Sequence, residues 1–433
     1  MTEKFQFYKE TKFKDIPELG IKIPEDWEIK KLGEVAKFKR GFSYRSSDIS
    51  EEKTSLRFIT INDLEKEGGL KKSDKEVYLK EETKIFQEFL LEEGDILIAN
   101  TDMSKGFIIG APLLVNEELI KKYKKLVYSM DLTKLIYDKN KINSTYLFYY
   151  LTLDIIRTKM KSFSHGVNVL HLNHNLVREL IVILPPLEEQ KAIAEILSTI
   201  DKTIEKVQED IERTEKLKKG LMQKLLTGEI RIKEENGRLI FYKETKFKDI
   251  PELGIKIPED WEIEKLGTIL NLKNGKRPLN IFERGTVPIF GANGIMGYTD
   301  KFLVDNDYTI IIGRVGASGQ IHLGSGKIWV SDNAIYSQGY DKSKTYLPFI
   351  FYLLKFKKLD QFISKTTHPI ITKTFLNNLL VQFPPLKEQK AIAEILSTVD
   401  NKIELLKKKK ELLEKVKKWF MQKLLTGEIR VKV

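Results

Sequence analysis

Loops rich in glycine, basic residues and amides are the parts of this chain whose residue types could do chemistry. They read RGFSYR at 40–45 and SHGVN at 164–168 in the first half, and NGKR at 274–277, GANG at 291–294 and GRVGASG at 313–319 in the second. Glycine lets backbone N–H groups approach phosphates, and Arg, Asn and Ser side chains can hydrogen-bond the edges of bases. The loops therefore favour binding of nucleic acid, and plain tight turns are the alternative for each of them.

We select polar and basic side chains of these loops, together with one nearby asparagine, as candidates for DNA contacts. Arginine is the most informative type, because its planar guanidinium can bind guanine or phosphate through two parallel hydrogen bonds, which a lysine cannot imitate. The candidates are Arg40, Ser43, Tyr44, Arg45, Asn62, His165 and Asn168 in the first half and Lys276, Arg277, Asn293, Arg314 and Ser318 in the second.

Motifs that resemble catalytic sites each lack an essential residue. Residues 324–327 (GSGK) resemble a phosphate-binding loop, but Ile328 stands where a Ser or Thr must bind magnesium. Leu184 and Phe383 precede Pro-Pro pairs, as an Asp or Asn does in the tetrapeptide of amino-methyltransferases, but neither side chain can bind the target amine. The sequence therefore predicts no catalytic residue, and it predicts that the chain is not an enzyme.

Metal binding and disulfide formation find no support in the residue types. The chain has no cysteine and five histidines. His165, His171 and His174 could in principle gather on a metal ion, but no carboxylate cluster accompanies them and the second half has no matching histidines. We expect no metal site.

The composition is that of a large protein with a basic excess. Its 433 residues suggest two to four domains of about 100 to 200 residues each. It has 74 Lys and Arg against 62 Asp and Glu, a net charge of +12, which suits a polyanionic partner or, alternatively, a solvated surface rich in both signs. The first ten residues do not resemble a signal peptide and no apolar run approaches about 18 residues, so we expect a soluble, cytoplasmic protein.

Internal repeats divide the chain into halves. A leader of 27 residues returns at an offset of 234 with one change, and two blocks near the end of each half return at an offset of 199. The repeated segments are 7–33 and 241–267, 185–201 and 384–400, and 222–231 and 421–430. With these offsets Val433 corresponds to residue 234 and Met1 to residue 235, so the two chain ends should lie side by side.

The segments between the repeats differ, which suggests that one shared frame carries two regions that bind different things. Residues 34–184 and 268–383, the first and second variable regions, show no evident register with each other and differ in length. The predicted domains are a leader with a first recognition domain (1–184), a central helix (185–234), a repeated leader with a second recognition domain (235–383) and a C-terminal helix (384–433).

A long helix is predicted after each Pro-Pro pair, because proline can open a helix but cannot continue one. Apolar residues then recur at spacings of four and three, which form the seam of a coiled coil. The seam residues are Ile193, Leu197, Ile200, Ile204, Val207 and Ile211 in the first helix and Ile392, Leu396, Val399, Ile403 and Leu406 in the second. Each helix should span about 40 residues to a Thr-Gly pair, and the two should pair antiparallel; packing on its own domain alone is the alternative for each.

Each variable region is predicted to be mixed α/β. We expect strands at 56–61, 95–99, 107–115 and 126–136 and a helix at 145–163 in the first region, and strands at 308–312, 320–323 and 327–330 and a helix from Pro348 in the second. The predicted fold class is therefore α/β (mixed α+β) recognition domains that alternate with long helices, in a pseudo-twofold duplication with an antiparallel two-helix coiled coil.

The order of repeated and divergent segments resembles one protein family over the whole chain. The blocks PPLEEQKAIAEIL and PPLKEQKAIAEIL, each followed later by MQKLLTGEIR, are similar to those of the specificity subunits of type I restriction-modification systems. The resemblance implies two target-recognition domains, each of which reads one half of a bipartite, asymmetric double-stranded DNA site, with the repeated helices between them.

The resemblance also implies partners. Two copies of an adenine-N6 methyltransferase (modification) subunit would bind the repeated helices, and ATP-dependent endonuclease (restriction) subunits would join them. S-adenosylmethionine, ATP and magnesium would then belong to these partners, and no cofactor to this chain. A coiled-coil adaptor that joins proteins without binding DNA is the alternative function; it would explain the helices but not the basic, glycine-rich loops.

Overall fold

The computed structural model describes residues 5–71, 75–103, 108–252, 254–362 and 370–432. The chain forms two compact units, one made of Met1–Lys206 with Lys410–Val433 and the other of Val207–Lys409. Each unit thus contains one variable region, the beginning of one long helix and the end of the other.

Short strands dominate the first half. They are β1 (Gln6–Lys9), β2 (Phe13–Ile16), β3 (Ile21–Pro24), β4 (Glu28–Lys31), β5 (Ala36–Arg40), β6 (Ile49–Ser50), β7 (Leu56–Ile59), β8 (Tyr78–Leu79), β9 (Ile96–Ala99), β10 (Thr101–Asp102), β11 (Pro112–Leu114), β12 (Lys125–Tyr128), β13 (Leu132–Tyr137), β14 (Ser164–His165), β15 (Leu170–Leu172) and β16 (Ile181–Leu184). The helices are α1 (Leu32–Val35), α2 (Glu117–Lys122), α3 (Ser144–Thr152), α4 (Asp154–Ser162), α5 (His174–Arg178) and α6 (Leu187–Leu226).

The second half has fewer strands, and some of them are longer. They are β17 (Ile230–Glu235), β18 (Arg238–Lys243), β19 (Phe247–Ile250), β20 (Ile255–Pro258), β21 (Glu262–Lys265), β22 (Leu270–Asn274), β23 (Val287–Gly291), β24 (Gly294–Thr299), β25 (Val304–Gly313), β26 (Ile321–Val330), β27 (Ala334–Tyr340), β28 (Leu380–Phe383) and β29 (Ile429–Lys432). The helices are α7 (Leu266–Ile269), α8 (Leu347–Lys357), α9 (Lys373–Asn378) and α10 (Leu386–Leu425).

The two variable regions share a hydrogen-bonded frame although their sequences show no register. The first contains the sheet β11-β9-β13-β5, and the second contains β22-β27-β25-β26-β23-β24, so β5-β13-β9 matches β22-β27-β25. The loops at the ends of these strands match as well. In the first region the N–H groups of Gly41, Phe42, Asn100 and Leu172 donate, in that order, to the carbonyls of Leu132, Tyr128, Asp131 and Asn100. In the second region the equivalent N–H groups of Gly275, Lys276, Arg314 and Ile371 donate, in that order, to the carbonyls of Ala334, Val330, Asn333 and Arg314.

Several predicted boundaries are wrong, each for a local reason. The predicted strand at 126–136 is two strands, because β12 pairs with β7 in one sheet and β13 with β9 and β5 in another. The predicted helix at 145–163 is interrupted by Leu153, whose ψ of 134° is extended. In the second region, the strands predicted at 320–323 and 327–330 are one continuous strand, β26.

The strand predicted at 107–115 is shorter than expected. Phe107 lies outside the described residues, and only Pro112–Leu114 pairs as a strand. The N–H groups of Ile108 and Ile109 donate instead to the carboxylate of Asp102, which satisfies them in a turn. Helix α8 begins at Leu347, one residue before the predicted start, with Pro348 in its first turn.

The two long helices span 40 residues each and pair antiparallel, which confirms the predicted coiled coil. In the first unit Lys417 of α10 contacts Asp201 of α6 at 2.7 Å, and in the second unit Lys218 of α6 contacts Asp400 of α10 at 2.5 Å. Residue numbers thus rise along one helix as they fall along the other.

The predicted seam faces inward along both helices. In α6 all six seam residues are buried except Ile204, which is partly buried. In α10 the residues Ile392, Leu396 and Ile403 are buried, while Val399 and Leu406 are partly buried. The first turns of each helix also share a hydrophobic core with the variable region beside them. Helix pairing and packing on the neighbouring domain therefore occur together.

A buried ionic cluster joins the leader, the first turn of α6 and strand β29 in the first unit. Arg430 donates to the carboxylate of Glu189 in the first turn of α6, at 2.7 Å from Nη2, and also binds Asp26 and Glu10 of the leader. Nε1 of Trp27 donates to the same Glu189 carboxylate at 3.2 Å. A buried carboxylate needs such partners, because an uncompensated charge in the interior is costly.

The second unit contains the same cluster. Arg231 donates to Glu388 at 2.7 Å from Nε and also binds Asp260 and Glu244, and Nε1 of Trp261 donates to Glu388 at 3.1 Å. These residues correspond one by one to those of the first cluster under the two repeat offsets. The repeated leader and the repeated EIR segment are thus explained by one packing requirement.

The glutamine after each of these glutamates joins the long helix to the variable region. Oε1 of Gln190 accepts the N–H of Asn143, the N-cap of α3, and Oε1 of Gln389 accepts the N–H of Tyr346, the N-cap of α8, both at 2.9 Å. The amide nitrogens of both glutamines donate to nearby backbone carbonyls. The repeated EQ pair therefore positions the variable region on the frame.

The described segments nearest to the two chain ends lie together, which agrees with the repeat offsets. Strand β1 pairs antiparallel with β29, so that Gln6 lies opposite Lys432. The equivalent ribbon in the other half is the hairpin β17-β18, in which Lys233 lies opposite Ile240. One ribbon is therefore closed by a turn and the other is open at the two ends of the chain.

Candidate nucleic-acid interface

The first variable region brings several predicted residues to one corner of its frame, where β5 and β9 end and β13 begins. Arg40 lies at the end of β5 and its Nε donates to the carbonyl of Met130 at 2.8 Å. Ser43 lies on the other side of Met130, with its hydroxyl 3.6 Å from the sulfur. Gly41 allows this approach, because a Cβ there would lie 2.2 Å from the carbonyl oxygen of Ser129.

Three side chains that were not predicted to contact DNA, those of Asn100, His174 and Arg178, complete this corner. Nε2 of His174, the first residue of α5, lies 2.9 Å from Oδ1 of Asn100. Nδ2 of Asn100 donates to the same Met130 carbonyl that Arg40 binds, at 3.3 Å. Arg178, at the end of α5, places its guanidinium 5.3 Å from the centre of the Phe38 ring. We call the surface formed by Arg40, Asn100, Met130, His174 and Arg178 the first recognition corner.

The first recognition corner is basic. Neither Arg40 nor Arg178 forms an ion pair with a residue in the part of the chain that the structure describes. Burial, together with the charges of Arg40 and Arg178, lowers the pKa of His174 below its usual value. Unpaired guanidinium groups around a neutral imidazole form a site that suits an anion such as a phosphate.

The other predicted residues of this region have different environments. Tyr44 packs edge-on against Phe58, with ring centroids 4.8 Å apart, and so contributes to the core. The backbone N–H of Arg45 donates to the Asp48 carboxylate. The guanidinium of Arg45 is exposed and has no hydrogen bond to a described residue. Asn62 is exposed in a single 3-10 turn, away from any contact that the structure records.

The hairpin formed by β14 and β15 presents the last two predicted residues of the first region. His165 faces His171 across the two strands, with ring centroids 6.1 Å apart, and Asn168 is exposed in the connecting loop. Gly166 has φ +121°, and a Cβ there would lie 2.0 Å from the carbonyl oxygen of Val169. The glycine therefore serves the turn, and the turn presents the two side chains to solvent.

The second variable region presents its candidates on the matching part of the frame. Lys276 and Arg277 are exposed after β22, and the carbonyl of Lys276 accepts Nε1 of Trp329 at 2.7 Å. Gly275 makes the same close approach as Gly41, because a Cβ there would lie 2.1 Å from the carbonyl oxygen of Ser331. This strand end is therefore built in the same way in both regions.

Arg314 occupies the frame position of Asn100. Its guanidinium is partly exposed and forms no ion pair with a residue that the structure describes. Ser318 is buried, and its hydroxyl donates to the carbonyl of Arg314 at 2.7 Å, so this serine shapes the loop. Asn293 is exposed in the two-residue turn between β23 and β24.

A structural match of helix α5 to helix α9 identifies site residues that the sequence analysis did not predict. Asn173 and Thr372 cap these helices with their side chains, and the next residues are His174 and Lys373. The offset of 199 relates both pairs, yet a histidine opposite a lysine gives no signal without the frame. With the frame known, both regions carry a basic side chain at this position.

Searches of the described ranges for other kinds of site gave negative results. Within those ranges no group of three or more His, Cys, Asp or Glu residues could hold a metal ion. No helix in the same ranges is long and apolar enough to cross a membrane.

Comparisons with known proteins identify the family. The model of the type I restriction modification DNA specificity domain matches residues 24–215 and 258–415. The type I restriction enzyme MjaVIII specificity subunit of Methanocaldococcus jannaschii is 32% identical over 99% of this chain and 98% of its own length. The putative MjaX specificity subunit of the same organism is also 32% identical, over 99% of each chain.

A solved structure agrees at the level of the fold. The S subunit of a type I restriction-modification system from M. genitalium superposes with a TM-score of 0.62 at 18% identity, over 96% of this chain and 99% of its own. The duplicated frame, the paired helices and the two family matches lead to one conclusion. This chain belongs to the specificity subunits of type I restriction-modification systems, which recognise DNA and leave catalysis to other subunits.

Proposed function

We propose that this specificity subunit reads a bipartite, asymmetric DNA site, with residues 34–184 reading one half and 268–383 the other. One observation carries the proposal: both regions build the same hydrogen-bonded frame but present different side chains on it. The matched positions carry Arg40 and Asn274, Asn100 and Arg314, His174 and Lys373, and Arg178 and Asn377. Equal frames with unequal side chains suit two readers of different sequences.

The domain limits of the proposal follow the frame. We assign 1–184 and 235–383 to the two recognition domains with their leaders, and 185–234 and 384–433 to the conserved helices. Recognition by Arg40, Ser43 and Arg45 in one domain and by Lys276, Arg277 and Arg314 in the other is supported by their exposure at loops beside the strand ends.

The partners in this proposal are double-stranded DNA, modification subunits and restriction subunits. Two modification subunits are favoured, because the leader and the helix ends present nearly identical residues twice in one chain. S-adenosylmethionine, ATP and magnesium would act in those subunits, in the cytoplasm where the DNA lies. The mass of the complex purified after co-expression tests the count: two modification subunits per chain are expected, and one would contradict it.

Sequencing of methylated adenines tests the DNA-reading proposal. A host that expresses this chain with its modification subunit should acquire methylation at one motif made of two short specified halves and an unspecified spacer. Replacement of residues 34–184 by the equivalent region of a different specificity subunit should change one half only. Methylation at a single uninterrupted motif, or a change in both halves after the replacement, would contradict the proposal.

A further inference from the structure

His174 is the only titratable side chain of the first recognition corner that changes charge near neutral pH. It opens α5, it is half-buried, and its ring lies 5.9 Å from that of Phe38. The family assignment does not explain this residue.

The hydrogen bonds of the corner define which ring nitrogen carries the proton. Nδ2 of Asn100 donates to Met130, so the atom of Asn100 that faces the histidine is Oδ1, which can only accept. Nε2 of His174 therefore carries a hydrogen in both protonation states. Nδ1 has no hydrogen-bond partner among the residues that the structure describes, and it gains a hydrogen only when the ring becomes charged.

The charged groups around His174 favour the neutral ring in the free protein. Arg40 on β5 and Arg178 on α5 both act on it with positive charge, and burial adds to their effect on the pKa. Three carboxylates on the segments next to the corner have other partners. Asp131 accepts the hydroxyl of Thr101, Asp102 accepts the N–H groups of Ile108 and Ile109, and Glu179 binds Lys31.

The second recognition domain shows what the position requires. Lys373 opens α9 as His174 opens α5, it is exposed, and it forms no ion pair with a described residue. Lysine is charged at all physiological pH values, whereas the charge of histidine changes near neutral pH and is favoured by a nearby negative group. A basic residue at this position in both domains indicates that an anion binds there.

We propose that His174 is a proton-linked phosphate contact: it is neutral in the free protein and takes up one proton from solvent when a DNA phosphate binds beside Arg40 and Arg178. This inference rests on the proposed function and adds a regulation to it. The charged ring donates Nδ1–H to the phosphate while Nε2–H remains on Asn100. Binding by the first domain then depends on pH, and binding through Lys373 does not.

The sign of the pH dependence follows from linkage. A phosphate raises the pKa of His174 in the complex above its value in the free protein. The affinity for DNA therefore increases as the pH falls through the pKa of the complex, and it becomes constant below the pKa of the free protein. For one proton the affinity changes by at most about tenfold per pH unit.

The test measures the affinity of the full chain for a duplex of mixed sequence between about pH 5.5 and 8.5 at constant ionic strength. A mixed sequence suffices, because phosphate contacts do not need the target. We expect tighter binding of the wild-type chain at low pH by about threefold to tenfold per pH unit. His174→Gln should remove this dependence. His174→Lys should also remove it, and this variant should still bind DNA tightly at pH 8. His322→Gln, in the second domain, should leave the dependence intact.

Each alternative result has a defined meaning. Equal pH dependence in the wild-type chain, His174→Gln and His174→Lys would overturn the inference while leaving the proposed function intact. Absence of DNA binding by the wild-type chain at every pH would overturn the proposed function as well. Circular dichroism of each variant excludes unfolding as the cause, and His174→Lys provides a variant with a residue that the matching position already accepts.

Discussion

The stability of the first unit depends on Glu189. Its buried carboxylate accepts hydrogen bonds from Arg430 and Trp27, so it joins the leader, α6 and the C-terminal strand. We expect Glu189→Gln to destabilise the protein by about 3 kcal/mol, because it leaves a buried guanidinium with one carboxylate fewer. Chemical denaturation of the full chain measures this effect.

The neighbouring glutamate provides a matched control. Glu188 is exposed, and among the described residues its one ion pair is with Lys191, at 2.7 Å on the surface of the helix. Glu188→Gln should therefore change the stability by less than about 1 kcal/mol. Similar effects of the two substitutions would show that the buried cluster does not hold the frame.

Residue types reveal part of the interface, and geometry reveals the rest. Arg40 and Arg314 could be selected from their types and from the glycines beside them. The burial of Ser318 and the core contact of Tyr44 depend on how the chain folds back, which no local pattern encodes. The repeat offset of 199 places His174 opposite Lys373, but a histidine opposite a lysine does not indicate a shared role until the frame shows that their positions are equivalent.

At the scale of elements, charge pairs between α6 and α10 accompany the buried hydrophobic seam. Lys218 contacts Asp400 at 2.5 Å within the second unit, and Asp400 also accepts the hydroxyl of Tyr352 at 2.9 Å. Lys218→Glu should cost about 1 kcal/mol by placing like charges together. Adding Asp400→Lys should recover part of this loss, but not all of it, because the bond to Tyr352 is removed.

Thermal unfolding of the single and double variants measures this coupling. Lys408→Glu, which alters an exposed pair with Glu404 one turn apart on α10, is the control and should have a small effect. If Lys218 and Asp400 do not interact, the loss of stability in the double variant should equal the sum of the losses in the two single variants. That result would show that the alignment is wrong.

The long helices and strands such as β7 and β9 were predictable from sequence, whereas the limits of several other strands were not. The seam from Ile193 to Ile211 repeats over many turns, so its period is clear from sequence alone. By contrast, residues 126–136 read as one apolar run, and the break arises because β12 and β13 pair in different sheets. Tertiary pairing therefore decides strand limits that local propensity leaves open.

At the scale of the whole molecule, the open ribbon β1-β29 predicts tolerance of circular permutation. Its closed counterpart turns at Asn236 and Gly237, whose φ angles of 52° and 72° suit a two-residue hairpin. A chain with residues 433 and 1 joined, carrying Thr2→Asn and Glu3→Gly at the equivalent turn, and opened between Asn236 and Gly237 should fold and bind DNA.

The control permutant opens the chain between Leu97 and Ile98, in the buried strand β9. This permutant should fail to fold, because two new charged ends would be placed in a core. If the first permutant also fails, the equivalence of the two ribbons is wrong.

The central claim is that each variable region reads its own half of one DNA site. It is tested most directly by the affinity of the chain, assembled with its modification subunit, for duplexes that vary separately in each half-site. Arg314→Ala or Arg277→Ala should relax one position of the half read by 268–383 at a cost of about 1 to 3 kcal/mol, and Arg45→Ala should do so in the other half. Arg40→Ala, beside the phosphate proposed to bind His174, should behave as the loss of a phosphate contact. A side chain that binds only phosphate should instead weaken all duplexes equally and lower the salt slope by about one. If Arg314→Ala and Arg277→Ala altered the half read by 34–184, or if none of the four changes affected binding, the account would be contradicted.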